Sequence, residues 1–248
     1  MSRAHALVFS ASSGIGLATV EALKKRGHVV AALSRRACDA ADASFACDVT
    51  DDASVTRAVR EATERHGPPD VMVYASGVAA MGRTLDVPAD AARATFEVNL
   101  WGMDRAVRAV LPGMCARRRG AVMLVSSLVA LRPVPHEAFY AASKAAAARY
   151  AGCLAFEAAA SRVRVQMLHA GFVDTGFSER AGWFGMDRPP RGGSGKSAAD
   201  VAEAICALLA SGEPSAVLGW KEKAIALGDR VVPNLYDRWL TFRGAGRG

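Results

Sequence analysis

No stretch of the sequence is apolar for long enough to cross a bilayer. The longest nearly apolar run, 121–131, falls well short of the ~20 residues a span needs and carries two serines. No signal-peptide h-region and cleavage site stand before the first strand-like run, Ala6 to Phe9, so the expected compartment is the cytoplasm. Cysteine is sparse and follows no pattern: the five residues (38, 47, 115, 153, 206) form no C-x-x-C pair. An odd count without metal spacing fits reduced, packed thiols rather than a disulfide framework. The five histidines are equally dispersed, and no zinc site is expected. Internal repeats and long linkers are also missing, which points to one domain over residues 1–248.

Acids are outnumbered, 24 against 31 basic residues, for a net charge of +7. The basic residues are spread out, densest at Arg35-Arg36, Arg117 to Arg119 and 188–196. No aromatic-interleaved groove accompanies them, so a solvated basic face is preferred and no nucleic-acid partner is expected. A nucleic-acid binder would betray itself by salt-sensitive retention on DNA.

What is present is alternation. Strand-like runs at 5–10, 28–34, 44–47, 70–75, 120–126, 163–169 and 215–219 alternate with helical patterns near 14–26, 51–66, 88–116, 138–160 and 197–211. Such an order predicts an α/β fold: a doubly wound parallel sheet of the Rossmann type, in three α/β/α layers. Little room for a helix remains between Arg36 and Phe45. Ligands in these sheets bind beyond the carboxyl ends of the strands. The chemically suggestive clusters fall there: Ser10 to Gly16, Ser34-Arg35, Asp48-Val49, Ala75-Ser76-Gly77, Ser126-Ser127 and Gly171 to Thr175.

The turn Ser10-Ala-Ser12-Ser13-Gly14-Ile15-Gly16 joins a strand to a helix. Glycines there let backbone approach a pyrophosphate, and the helix N-terminus offers free N–H groups. The second strand ends in Ser34-Arg35-Arg36, where an acid would favour unphosphorylated ribose; a guanidinium instead matches a 2′-phosphate. The expected cofactor is therefore NADP(H). Asp48 has two readings, a contact to the adenine amine or the cap of the following helix. Tyr140 and Lys144 share one helix face at i and i+4, and Ser127 at a strand end is expected to reach the same spot. Half-ionising a phenol at neutral pH needs roughly 4 kcal/mol of differential stabilisation, which a nearby ammonium and a cationic nicotinamide would both supply.

On these residues the chain resembles the short-chain dehydrogenase/reductase family over essentially its whole length. The family's T-G-x-x-x-G-I-G turn aligns with Phe9 to Gly16, and its catalytic Asn, Ser, Tyr and Lys with Asn99, Ser127, Tyr140 and Lys144. Its P-G-x-x-x-T segment, which holds the nicotinamide, aligns with Ala170-Gly171-Phe172-Val173-Asp174-Thr175. There are departures: Phe9 and Ser10 replace the Thr and first Gly, Tyr74 to Gly77 replaces N-N-A-G, and Ala170 replaces the proline. The resemblance implies that Tyr140 is the general acid or base, that Ser127 hydrogen-bonds the reacting oxygen, and that Lys144 lowers the phenol's pKa and binds the ribose. It also implies that Asn99 holds a water between Lys144 and solvent. The activity implied is NADPH-dependent reduction of a ketone or aldehyde to an alcohol, or the reverse. A catalytically silent NADP(H)-binding regulator or scaffold is the alternative.

Residues 176–196 are expected to form a lid. Trp183, Phe184 and Met186, with Phe172, Val134 and Phe139, suggest an apolar pocket for a lipophilic or aromatic small molecule. Arg132, His136 and Arg180 are candidates to hold a polar group. Arg191 to Ser197 fails as a P-loop because Pro190 occupies the first glycine position, whereas Ser197 to Asp200 reads as a capping box. The C-terminal extension, 220–248, either packs on its own domain, touches a membrane surface or embraces a second copy. By analogy a homo-oligomer, dimer or tetramer, is expected.

Overall fold

Three apolar runs bounded by turn residues become the centre of the sheet: β1 (His5–Phe9), β2 (Val29–Ser34) and β4 (Val71–Tyr74) are buried almost without exception. Strands covered by helices on both faces require this. The computed structural model describes residues 3–187 and 195–231. β3 (Ala43–Ala46) alternates half-buried with exposed residues and takes an edge. With β6 (Gly120–Ser127), β7 (Val163–Ala170) and β11 (Ser215–Val217) these strands form a seven-stranded parallel sheet, ordered β3-β2-β1-β4-β6-β7-β11. One face is covered by α1 (Gly14–Lys25) and α7 (Ala198–Ser211). The other is covered by α2 (Asp52–His66), α4 (Gly102–Arg117) and α5 (Ala138–Ala159). The result is a doubly wound Rossmann-type fold with the order reversing beside β1, between β2 and β4.

The connection from β2 to β3 holds no helix, although parallel neighbours usually need a dozen or more residues to cross over. Asp42 makes the short route workable. Its carboxylate accepts from the Val30 amide at 2.8 Å and pairs with Lys24 at 3.2 Å, while Ser44 Oγ accepts from the Cys38 amide at 3.1 Å. Arg35 and Arg36 are left exposed at the sheet's end.

The helical pattern at 88–116 is in fact three pieces: α3 (Ala89–Phe96), one π-helical turn (Glu97–Trp101) and α4. A single wide turn shifts the periodicity too little to break the pattern, yet it re-aims one side chain, a common device at functional sites. That side chain is Asn99. Four short strands also escaped sequence reading. β5 (Ala80–Gly82) pairs with β9 (Gly182–Phe184), and β8 (Val173–Asp174) pairs with β10 (Lys196–Ser197). Two or three residues carry no readable period. The expected lid is therefore knitted at β8–β10 and again at β5–β9; its residues 188–194 lie outside the described residues. Gly82 permits the second pairing, with φ of +125° and the Phe184 carbonyl 2.0 Å from where a Cβ would stand. The Ser197–Asp200 capping box is formed. Of the C-terminal extension, α8 (Trp220–Val231) is described, and 232–248 lie outside the described residues. Among the described residues no helix is long and apolar enough to cross a membrane.

At the amino end of the strands the His5 and His66 rings pack at a tilt of 53°, with centroids 5.4 Å apart. His5 Nδ1 bonds the Gly67 carbonyl at 2.7 Å, and buried nitrogens of His5, His28 and His66 have no hydrogen-bond partner. Burial lowers the pKa of His5 and of His28. Both bind a proton less readily folded than unfolded, so their contribution to stability is whole above the ordinary imidazole pKa and declines as pH falls through roughly 6.5. The urea midpoint is expected to drop between pH 8 and 5, and His28→Asn should flatten that slope. An unchanged slope would exclude His28 as a source.

Candidate active site

The phosphate turn leaves β1 through Ser10, which adopts φ of +59° where the family has glycine. A left-handed serine costs about 1 kcal/mol, but its amide donates to the Leu33 carbonyl at 2.8 Å and its hydroxyl bonds the Ser76 hydroxyl at 2.5 Å. The backbone therefore takes the glycine conformation without adjustment. Gly16 shows why the turn needs glycine: a Cβ there would lie 2.1 Å from the Ser10 carbonyl oxygen. Ser13 precedes α1 with no side-chain cap, and no acid occupies the first turn. Free N–H groups thus face the cleft.

A cleft of about 1070 Å³ runs along the carboxyl ends of the strands, lined at one end by Ser12, Ile15 and Arg35 and at the other by Tyr140 and Trp183. Every sequence-predicted cofactor residue except Gly16 lines it, among them Ser34, Arg36, Val49, Ala75, Gly77, Gly171 and Val173. Gly16 stands behind the turn. Thr175 comes within 3.5 Å of the Cβ position of Gly14, so the segment after β7 packs on the phosphate turn. Ala170, in place of proline, keeps its N–H, and the β6–β7 ladder runs on to the Ser127–Ala170 pair. Asp48 does not cap α2; Asp51 does, accepting from the Ala53 amide at 2.9 Å. The Asp48 carboxylate accepts from the Thr50 amide and hydroxyl, which together hold its pKa below the usual carboxylate range.

At the other end the Ser127 side chain stands close enough to the Tyr140 phenol to favour its ionised form. The Lys144 amine lies 6.0 Å from the phenol's ring centroid and donates to the Val125 carbonyl at 3.3 Å. Burial pushes the phenol's pKa up; Ser127 opposes this and the Glu137 charge adds to it. Burial also lowers Lys144 to about 8. Desolvation is thus the largest influence on both groups. Phe177, in α6 (Phe177–Arg180), packs its ring 5.5 Å from that of Tyr140.

Asn99 is 1% exposed and does not line the cleft. Its amide nitrogen donates to the Val78 carbonyl and to Ser143 Oγ, each at 2.9 Å, and its oxygen accepts from the Val78 amide at 3.0 Å. These bonds clamp the π turn to the chain after β4, where a Cβ on Gly77 would meet Lys144 Nζ at 3.4 Å and Asn99 Oδ1 at 3.6 Å. Both atoms of the side-chain amide are thereby engaged. Tyr74 stands in place of an asparagine and ties the same elements, its hydroxyl donating to the Val98 carbonyl at 2.6 Å.

Of the expected pocket aromatics, Trp183 and Phe172 line the cleft with Val134; Phe139, Phe184 and Met186 do not. Met81, Leu128, Val129 and Phe177 line it instead. Arg180 is at the cleft, but Arg132 is 3% exposed and packed away from it. Glu137, which also lines the cleft, was missed. It was detectable as the sole acid between Asp104 and Glu157, three residues before Tyr140.

Comparison with known proteins agrees with this geometry. The short chain dehydrogenase family model matches residues 4–182. The 3-ketodihydrosphingosine reductase of Bacteroides thetaiotaomicron is 30% identical over 175 residues, 70% of this chain and 65% of that protein. The 2-keto-3-deoxy-L-fuconate dehydrogenase of Xanthomonas campestris is 32% identical over 233 residues, 86% of this chain and 76% of that one. The chain spans just under two thirds of the length of some of its curated relatives, 65% and 60% in two cases. A short chain dehydrogenase from Burkholderia cenocepacia, solved in complex with NADP, superposes with a TM-score of 0.84 at 28% identity, over 96% of this chain and 98% of that one. By fold, by site geometry and by sequence, the chain belongs to the short chain dehydrogenase family.

Proposed function

We propose that the protein is an NADP(H)-dependent oxidoreductase that interconverts a ketone or aldehyde with its alcohol, acting on a lipophilic or aromatic small molecule. The observation that carries this reading is the meeting of the Tyr140 phenol, the Ser127 hydroxyl and the Lys144 amine at one end of a cleft whose other end is the Gly16 turn. The cleft fits a dinucleotide. Gly16 leaves no room for a side chain against the turn, α1 presents uncapped N–H groups, and Arg35 supplies a cation beyond the second strand. The Burkholderia relative, solved with NADP, supports the phosphorylated form.

When bound, the nicotinamide supplies or accepts the hydride. Tyr140 gives its proton to the carbonyl oxygen, or takes one from an alcohol. Ser127, beside the phenol, donates to the same oxygen as charge develops. Lys144 holds a positive charge beneath the phenol and favours its ionised form against the cost of burial. Asn99 is a positioning residue that fixes the floor under Lys144. Met81, Val134, Phe172, Phe177 and Trp183 exclude water and favour an apolar substrate. We also propose a homo-oligomer, supported by Phe156 of α5, which is 84% exposed.

A panel of aldehydes and ketones followed at the NADPH absorbance, with NADH in parallel, tests the reading. Turnover with NADPH and little with NADH is expected. A clear NADH preference would overturn the cofactor assignment, and absence of turnover across the panel would overturn the activity.

A further inference from the structure

Glu137 is the acid the reaction leaves unused. It stands immediately before α5, where a shorter acid, Asp, ordinarily accepts from the first amides of the helix. Here it makes no such cap. Its side chain lines the cleft on the substrate side, in company with Val134, Tyr140, Phe177 and Trp183. Among the described residues no hydrogen bond or ion pair engages its carboxylate, and burial alone lifts its pKa to about 7. A carboxyl in such a place weakens the fold unless something compensates it. Among the described residues none of the basic groups that share the cleft pairs with it: Lys144 is bonded to Val125, Arg180 is exposed in α6, and Arg35 and Arg36 are at the adenosine end. What would complete the site is a cation carried in by the substrate.

Its distance from the chemistry is short, three residues before Tyr140 at the start of α5. Glu137 leads into the first turn, its carbonyl accepting from the Ala141 amide at 2.7 Å, and its charge is felt at the Tyr140 phenol, so an ammonium bonded to Glu137 lies within a few bonds of a carbonyl oxygen bonded to Tyr140. We infer that Glu137 selects substrates bearing a basic amine close to the reacting carbon: amino ketones in the reducing direction, amino alcohols in the other. This deepens the oxidoreductase reading and rests on it. The apolar walls hold the remainder of the substrate, the carboxylate pairs with its ammonium, and the phenol and Ser127 hold the oxygen between them.

The test compares α-aminoacetophenone with its methyl isostere propiophenone, with NADPH, in the wild-type protein and in Glu137→Gln. The two ketones differ by one ammonium for one methyl. The wild type is expected to favour the amino ketone in kcat/KM by about 10-fold or more, the scale of one charge-assisted hydrogen bond. In Glu137→Gln the ratio should collapse towards unity, chiefly through KM. Because the wild-type ratio is read without any substitution, a variant that fails to fold does not remove the test. Propiophenone reduced as well as the amino ketone, or a ratio unmoved by Glu137→Gln, overturns the inference and leaves the oxidoreductase reading standing. If neither ketone consumes NADPH, the oxidoreductase reading fails on these substrates and the inference falls with it.

Discussion

Tyr140→Phe is expected to lower kcat by roughly 10²- to 10⁴-fold, the usual contribution of a positioned proton donor, while NADPH still binds. The substitution is close to a clean deletion. The ring that packs 5.5 Å from Phe177 is kept, and only the hydroxyl beside Ser127 goes. That hydroxyl sits where burial already raises its pKa, so its loss spares a desolvation cost and the fold should not weaken. Enhancement of NADPH fluorescence on binding, measured beside kcat, separates the two effects. A variant that retains more than a few per cent of wild-type kcat would take Tyr140 out of the proton transfer.

The cofactor arginines carry the second large effect. Arg35 and Arg36 follow β2 with their side chains exposed, and no acid follows until Asp39. Replacing both with alanine is expected to weaken NADPH about 10- to 100-fold, the loss of one or two charge-assisted bonds to the 2′-phosphate. NADH, lacking that phosphate, should change little. The difference between the two cofactors should narrow as salt is raised, because exposed charges are screened beyond about 10 Å at 0.1 M ionic strength. A doubly substituted protein that still prefers NADPH would mean that the phosphate is recognised elsewhere.

Sequence reading succeeded where physics acts locally or repeats. β1, β2 and β4 are apolar on both faces, so their runs stand out before any fold is assumed. The phosphate turn was legible because Gly16 has no substitute, its missing side chain being the space the turn occupies. Asn99 was found by motif, but its surroundings were not. The π turn that aims it inward hides within an unbroken helical period. Asp48 was misread as a possible cap because a strand end followed by acids does not say which acid faces the helix; the Thr50 hydroxyl decides it. The walls of the substrate cleft were the least legible. Phe139, Phe184 and Met186 look like pocket residues in a list of aromatics and thioethers, yet none lines the cleft; the direction of Phe184 is set by a three-residue pairing with a strand far away in the chain. Glu137 escaped for a related reason: attention to apolar residues passes over a lone acid whose meaning is that it has no partner.

The β5–β9 pairing bears on how the cleft accommodates its contents. The Gly82 amide bonds the His136 carbonyl at 2.8 Å, and the Arg83 amide bonds the Phe184 carbonyl at 3.0 Å. Trp183 on one wall is therefore coupled through two peptide groups to the corner from which α5 and Tyr140 begin. A bulky guest that pushes on the indole strains the very backbone that aims the phenol. Size discrimination would then register as misalignment of the proton donor as well as exclusion at the entrance.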